Sequence, residues 1–422
     1  NAFHTCRFKR LGWSCHPRAL KAARMKCVLH IGTEKTGTTL LQRWLYENEA
    51  ALSDQGVALS QSMGQPNNRR FVAYAHGGID DYLKSKSIFT EDERAAFFEG
   101  YKAQLAEEFA RKSKEHHTFL ITSEHFHSRL ISRKQVKRVE ETLSPFFEEF
   151  RVVCYFREQS RKRTSLYSTS LRSGGGVTLQ DFQKDKSPEN HHYNYLMSFR
   201  KWEDAFGIDA LVPRIYDRDQ LEEGDIRRDF LKHALPEVDP AALNYAAQEA
   251  NMSLSHDEAC LLQAVNSARG KRIGRVQDHL PGVLNKLISD LPGLDRSAEI
   301  NDPRQPDMYA AFDASNRAFF KRYFGQDTNL FTAPQPVATD PEETPKYRLS
   351  DLADLMHSVA SQRNLVVVTE KEVLVMKDVA ARLYASGAIS AAEAIALLSV
   401  AQRVRRADKG VAEQIDKLWS ER

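Results

Sequence analysis

Cysteine is scarce in this sequence, with five residues in a chain of 422. No two of them are spaced as a CxxC pair, which argues against a disulfide framework and against a zinc site. Free buried thiols are ordinary in a reducing compartment, so we expect a cytoplasmic protein. The five positions are Cys6, Cys15, Cys27, Cys154 and Cys260.

A long hydrophobic run is also missing. No stretch of about 18 apolar residues occurs, so no transmembrane helix is expected. The basic N-terminal segment has no apolar core and does not resemble a signal peptide. Because the chain begins with Asn1, and Met25 directly precedes the first predicted strand, we expect residues 1–24 to be a basic leader that is either not native or disordered.

The chain lacks a strong excess of charge of one sign. Its formal net charge is +3, and residues 1–24 hold six basic residues and no acidic one, which leaves −3 for the rest. A mildly acidic body argues against general binding of nucleic acid. The apolar fraction of 41% is ample for a sizeable core.

What the sequence does contain is an alternation of short apolar runs with amphipathic segments. Strands separated by helices of this length indicate βαβ units and a mainly parallel sheet with helices on both faces. We therefore predict an α/β, P-loop-type three-layer fold, with ligands at the carboxyl ends of the strands. Strands are predicted at residues 26–32, 56–59, 118–123, 151–156 and 211–216, and helices at 38–48, 133–147, 193–206 and 225–235, with a further helix that ends near 171.

Further signals divide the chain. Thr90 and Glu93 form a capping box ahead of one long predicted helix that carries residues as far as Phe109. We expect the main domain at residues 25–330. Four prolines then indicate a linker at 331–346, and residues 347–422 are predicted to form a small C-terminal helical module.

The most informative segment is residues 30–39, which read HIGTEKTGTT. It follows a strand and opens a helix, where Gly32 and Gly37 allow successive backbone N–H groups to face an anion. Thr38 and Thr39 add hydroxyl donors, and Lys35 adds a full charge. The Walker A pattern places its lysine after the second glycine, whereas here the lysine lies inside the loop, which suits a shorter anion at the 5′ end of a mononucleotide.

A second basic segment follows the fourth predicted strand. Residues 151–172 hold six basic residues and one acidic residue, which predicts a local anion site in an acidic body. Arg157 stands at the predicted carboxyl end of the strand, and its planar guanidinium suits phosphate oxygens. For Arg161, Lys162 and Arg163, a solvated basic helix face is the plain alternative.

These two segments resemble the family of sulfotransferases that use 3′-phosphoadenosine 5′-phosphosulfate (PAPS), particularly its bacterial and carbohydrate-type members. The KTGTT of residues 35–39 matches the phosphosulfate loop of the family. The family also has a strand-end arginine followed eight residues later by a serine. The resemblance implies nucleotide binding by Lys35, Thr36, Gly37, Thr38, Thr39, Arg157 and Ser165.

The resemblance covers roughly residues 25–330, with two departures. Glu158-Gln159 stands where the family has Asp-Pro, which changes the turn but not the arginine or the serine. The C-terminal Arg/Lys-Gly nucleotide loop of the family has only residues 269–271 (RGK) as a counterpart.

A base for the acceptor proton is expected after the third strand. If that strand neighbours the first, its carboxyl end lies beside the phosphate loop. Glu124 is the first choice, since carbohydrate-type members often use a glutamate, although it would need burial to raise its pKa. His125 competes, because a histidine needs no pKa shift to act near neutral pH, and His127 is a weaker candidate. The plain alternative is that Glu124 caps the next helix while the histidines pack or face solvent.

The resemblance implies PAPS as donor and adenosine 3′,5′-bisphosphate (PAP) as product, with in-line transfer and no covalent enzyme intermediate. A divalent metal is not required, since the transferred group carries less negative charge than a phosphoryl group. The acceptor is expected to be a carbohydrate or another small molecule with a hydroxyl or amine. The pair His191-His192, in one of the loops that would shape the acceptor site, is expected on the loop surface, with contact to the acceptor as the alternative.

Two other functions stay open. A P-loop kinase for small molecules would need a lysine after Gly37 and an acidic strand end for Mg²⁺, for which Glu124 is a poor stand-in. A non-catalytic anion- or partner-binding protein would depend on the C-terminal helices. The sequence does not indicate an oligomeric state.

Overall fold

The computed structural model describes residues 25–182, 187–246, 253–269 and 302–334, with isolated positions between 285 and 300 and between 380 and 417. The predicted leader, most of the linker and most of the C-terminal module lie outside these residues, so the predicted domain boundaries stay predictions. The chain divides into two compact units, and residues 168–178 and 254–301 belong to the second. No helix among the described residues is long and apolar enough to cross a bilayer.

The first unit contains a five-stranded sheet in the order β2-β3-β1-β4-β5, and all neighbouring strands are parallel. After β1 the chain builds one side of the sheet, and it then returns to pair β4 on the other side. The carboxyl ends of β3, β1 and β4 therefore meet at a topological switch point, where such sheets bind ligands. The strands are β1 (Met25–His30), β2 (Val57–Leu59), β3 (Thr118–Thr122), β4 (Phe147–Phe156) and β5 (Leu211–Ile215).

Helices cover both faces of this sheet. The described helices are α1 (Thr38–Glu47), α2 (Glu49–Asp54), α3 (Arg69–His76), α4 (Asp81–Ser85), α5 (Glu91–Phe97), α6 (Tyr101–Lys112), α7 (His125–Arg129), α8 (Arg133–Leu143), α9 (Gln159–Arg172), α10 (Tyr195–Phe206), α11 (Ile226–Ala234), α12 (His256–Arg269) and α13 (Gln305–Phe324). Of these, α12 belongs to the second unit.

Alternate residues of the central strands enter two different cores. Cys27 and Leu29 of β1 pack in one cluster with α3, α6, α8, α10 and α13. Val28, between them, packs in the other cluster with α1 and α11. Burial on both faces explains why these strands are continuous apolar runs in the sequence. The predicted α/β three-layer fold is confirmed.

Two predicted helices differ from those observed. The capping box of Thr90 and Glu93 is present, but it begins only α5. Gly100, at a φ of 67°, separates α5 from α6, so the single long helix was wrong. The helix predicted at 133–147 ends at Leu143 because Pro145 cannot continue it, and β4 begins at Phe147.

The second unit joins the end of α9 to α12. Asn266 donates its amide to the carbonyl oxygens of Leu171, at 2.8 Å, and Gly175, at 3.1 Å. Gln263 donates to the Gly176 carbonyl at 2.9 Å. These side chains satisfy the backbone acceptors that are left where a helix ends.

A buried carboxylate anchors the edge strand β5. Asp229 of α11 is fully buried. It accepts two hydrogen bonds from the Arg214 guanidinium, at 2.9 and 2.6 Å, and one from the Tyr155 hydroxyl, at 2.9 Å. The carboxylate therefore joins α11 to β4 and β5.

We predict that Asp229→Ala lowers the free energy of unfolding by about 3 kcal/mol, because it leaves a guanidinium and a hydroxyl without their acceptor. The measurement is denaturant unfolding. Lys232→Ala on the same helix is the control, since its ion pair with Glu222 is exposed. Equal losses for the two variants would contradict the anchoring role.

Candidate active site

The phosphate loop joins β1 to α1 through a backbone that only particular residues adopt. Gly32, Lys35 and Gly37 all have positive φ, at 99°, 65° and 69°. Gly37 is the N-cap residue of α1, so the positive end of this helix opens at the loop. The Thr33 N–H donates to the Tyr155 carbonyl at 2.9 Å, and the Tyr155 N–H donates to the Gly32 carbonyl at 2.7 Å. These two bonds extend the pairing of β1 with β4 into the loop.

The hydroxyls of the loop do not all face the same way. The Thr36 hydroxyl is buried and donates to the Thr33 carbonyl at 2.6 Å, so it closes the turn from inside. Thr38 is buried at the first position of α1, whereas Thr39 is exposed. Lys35 is half-buried. The structure thus brings residues 35–39 together at a helix N-terminus, which is a suitable geometry for an anion.

Arg157 joins the second basic segment to this loop. It follows β4 directly, and its Nη1 donates to the Lys35 carbonyl oxygen at 3.1 Å. Its guanidinium lies 5.7 Å from the centre of the Tyr216 ring. The Tyr195 hydroxyl donates a hydrogen bond to the Arg157 carbonyl oxygen. Ser165 lies eight residues further on, buried on α9.

Glu124 lies directly against the loop on the other flank. A Cβ atom added to Gly32 would stand 2.8 Å from the Glu124 Cα, so only glycine leaves room for this approach. The Glu124 carboxylate accepts a hydrogen bond from Gln42 Nε2 at 2.6 Å, and Gln42 is itself buried on α1. Glu124 therefore stands beside the loop with its carboxylate oriented.

His125 contacts the same carboxylate less closely. Its Nε2 lies 3.6 Å from Glu124 Oε1, which is longer than a hydrogen bond. Burial lowers the pKa of His125, and the neighbouring Glu124 opposes this shift. Its imidazole is therefore neutral near pH 7. His127, the weakest candidate, is buried, and its ring stacks on that of His191 with the ring centres 5.3 Å apart.

The solvated helix face considered for residues 161–163 holds for one of these three basic residues. Lys162 and Arg163 are not part of a solvated helix face, because their exposed fractions are 0% and 1%. Arg163 forms an ion pair with the buried Asp302, and Lys162 Nζ donates to the His192 carbonyl at 2.8 Å. His192 and its neighbour are half-buried rather than on the loop surface. Arg161 does fit the expected face, since it is partly exposed and pairs with Asp217.

Sequence reasoning missed several polar residues beside the loop. Gln42 gave a weak signal, as a polar residue on the apolar side of α1. Arg129 gave none, and the contacts of Glu34 with Arg129 and His192 could not be predicted, because they depend on the packing of segments that are far apart in the chain. Glu34 Oε1 lies 3.9 Å from Arg129 Nη1, and Glu34 Oε2 lies 3.6 Å from His192 Nε2.

Comparison with known proteins gives little beyond the fold. No protein-family model matches the chain. A protein of Archaeoglobus fulgidus described as uncharacterized is 28% identical over 193 residues, which are 44% of this chain and 49% of that protein. The chain thus spans about half the length of this relative. The crystal structure of a sulfotransferase from Alicyclobacillus acidocaldarius is similar with a TM-score of 0.34 and 13% identity, over 57% of this chain and 92% of that one.

We predict that Gly32→Ala lowers the free energy of unfolding by about 1–3 kcal/mol more than Gly100→Ala does. Both substitutions put a side chain on backbone with positive φ, but nothing lies within 4 Å of the new atom at Gly100. Denaturant unfolding of both variants measures the difference. Equal losses would show that Glu124 moves aside at no cost, and that Gly32 is not needed for the contact.

Proposed function

We propose that this chain is a sulfotransferase that moves a sulfuryl group from PAPS to a hydroxyl, or an amine, of a carbohydrate or other small acceptor. The observation that carries the proposal is the contact between Arg157 and the Lys35 carbonyl oxygen at 3.1 Å. It brings the two segments that resemble the nucleotide-binding motifs of the family into one site. A lone glycine loop would support only anion binding.

In this proposal the two segments bind opposite ends of the donor. The N–H groups at the start of α1 and the Lys35 ammonium bind the 5′-phosphosulfate, while Arg157 and Ser165 bind the 3′-phosphate. The acceptor oxygen forms a bond to sulfur as the bond from sulfur to the bridging oxygen breaks. Lys35 stabilises the charge that develops on this oxygen, and PAP leaves. Such catalysis depends on positioning and electrostatics.

Glu124 is the proposed base. It takes the proton that the acceptor hydroxyl loses, and Gln42 holds its carboxylate by the 2.6 Å hydrogen bond. A base oriented by a second group is the usual arrangement of an acid–base site. His125 has no such close partner for its Nε2, since the nearest Glu124 oxygen lies 3.6 Å away.

Nucleotide recognition tests the proposal directly. We expect PAP to bind the wild-type chain more tightly than adenosine 5′-phosphate, by roughly 10–100-fold, because one charge-assisted phosphate contact contributes about this much. Arg157→Ala should remove most of this preference. Isothermal titration of both nucleotides with both proteins measures the four affinities.

Arg317→Ala is the matched control, since this arginine is exposed on α13 and pairs only locally with Asp313. It should keep the preference for PAP. If ATP with Mg²⁺ binds and PAP does not, the chain is a kinase rather than a sulfotransferase. If no nucleotide binds, a non-catalytic role is favoured.

The base is tested by a pair of substitutions. Glu124→Gln should lower sulfuryl transfer by about 10²–10⁴-fold, whereas His125→Asn should lower it less than about tenfold. Transfer is measured from radiolabelled PAPS to a mixture of oligosaccharides, with PAP binding as the check that each variant is folded. The reverse order of losses would assign the base to His125.

A further inference from the structure

Glu34 lies within the phosphate loop, yet its side chain does not contact the cations that would bind the nucleotide. Its carboxylate contacts Arg129 of α7, at 3.9 Å, and His192, at 3.6 Å. Both residues lie on the flank of the loop that also carries Glu124 and His125. A carboxylate on the nucleotide side would repel the anionic donor, so its position on this flank has a plain electrostatic reason.

The Glu34 carboxylate is partly exposed and lies between two side-chain neighbours, Arg129 and His192. Only 19% of its side chain is exposed, and both contacts are longer than a hydrogen bond. Burial, with the neighbouring Lys162 charge, lowers the pKa of His192 to about 2. The ring is therefore neutral, and its contact with Glu34 is not an ion pair at neutral pH. The oxygens keep their capacity to accept hydrogen bonds from a ligand.

His192, one of the two neighbours of Glu34, belongs to a segment that buried side chains hold in place. Lys162 is fully buried and donates to the His192 carbonyl at 2.8 Å. His191 donates from Nε2 to the His127 carbonyl at 2.9 Å, so its Nδ1 is unprotonated and accepts from Lys201. The His191-His192 segment thus joins α7 to the phosphate loop.

Arg129 is fixed in a similar way. Its Nε and Nη2 donate to the two carboxylate oxygens of Asp81, at 2.9 and 3.2 Å. With these two atoms engaged by Asp81, the third guanidinium nitrogen of Arg129, Nη1, faces the Glu34 carboxylate. The charges of Glu124 and Glu34 both act on the His125 ring, against the lowering of its pKa by burial. Glu34, Glu124 and His125 are each between 16% and 19% exposed at their side chains, so they form a partly open polar group beside the loop.

We propose that Glu34 binds the acceptor through hydroxyl groups next to the one that reacts. A partly exposed carboxylate accepts hydrogen bonds from neighbouring hydroxyls, which sugars possess and simple phenols or fatty alcohols lack. The acceptor is therefore a polyhydroxylated molecule, a glycan. This inference rests on the proposed sulfotransferase activity and deepens it.

The first arm of the test separates Glu34 from the nucleotide. Calorimetry with PAP should give Glu34→Ala the wild-type affinity within about threefold, whereas Arg157→Ala should lose roughly tenfold or more. A large loss of PAP affinity in Glu34→Ala would place this residue on the donor side and overturn the inference.

The second arm addresses the acceptor. Wild-type protein and radiolabelled PAPS are incubated with a glycan array, with p-nitrophenol and with a long-chain alcohol. We expect only the glycans to be labelled. Glu34→Ala should lower kcat/KM for these glycans by about 10–100-fold, mostly through a higher KM for the acceptor. The kcat/KM of Glu34→Gln should lie between those of the wild type and Glu34→Ala, since an amide keeps one accepting oxygen. Glu47→Ala, an exposed glutamate of α1, is the matched control and should leave transfer unchanged.

The outcomes distinguish the two proposals. If PAP binds but the phenol or the alcohol is labelled rather than a glycan, or if nothing is labelled, the inference about Glu34 fails and nucleotide binding stands. If Glu34→Ala and Glu47→Ala behave alike on a labelled glycan, Glu34 does not bind the acceptor. If PAP does not bind wild-type protein, both proposals fail.

Discussion

Contacts on both flanks fix the phosphate loop against the strands that neighbour β1. On the β3 side, Gly32 has no side chain, and the Glu124 Cα occupies the space, 2.8 Å from where a Cβ would stand. On the β4 side, Arg157 donates to the Lys35 carbonyl. A parallel sheet brings the carboxyl ends of its strands to one edge. The two contacts then hold the loop close to Glu124 on one flank and to Arg157 on the other. The loop, the carboxylate and the arginine are thereby placed before any ligand arrives.

The adjacent loop residues Glu34 and Lys35 contact opposite flanks of the loop, which the positive φ of Lys35 allows. The Lys35 carbonyl accepts from Arg157 on the β4 side, while the Glu34 side chain contacts Arg129 and His192 on the β3 side. Arg157 and the Glu34 side chain thus lie on opposite flanks of the loop.

The sequence predicted the framework better than the interior polar contacts. Strands buried on both faces are visible as apolar runs, and strand ends locate Lys35, Glu124 and Arg157 at one edge. Lys162 shows the limit of this reasoning. In the sequence it is the middle of a basic run, which is typical of a solvated face, but its amine reaches a carbonyl thirty residues away, at His192. Burial of a charge depends on such distant partners, which periodicity does not contain. The nucleotide roles of residues 35–39, Arg157 and Ser165 stay predictions.

The burial of Lys162 is costly, because an ammonium removed from water loses several kcal/mol of solvation. Its pKa falls to about 8, by burial, while the Glu34 charge opposes the shift. The amine has one carbonyl partner and two aromatic rings, those of Tyr193 and Tyr195, within 5.5 Å. Such a residue contributes little to stability compared with an apolar side chain of similar volume. Its charge adds to the effect of burial, which keeps His192 neutral. The Lys162 ammonium and the Glu34 carboxylate are therefore best understood together. Both contact His192, whose carbonyl oxygen accepts from Lys162 and whose ring contacts Glu34.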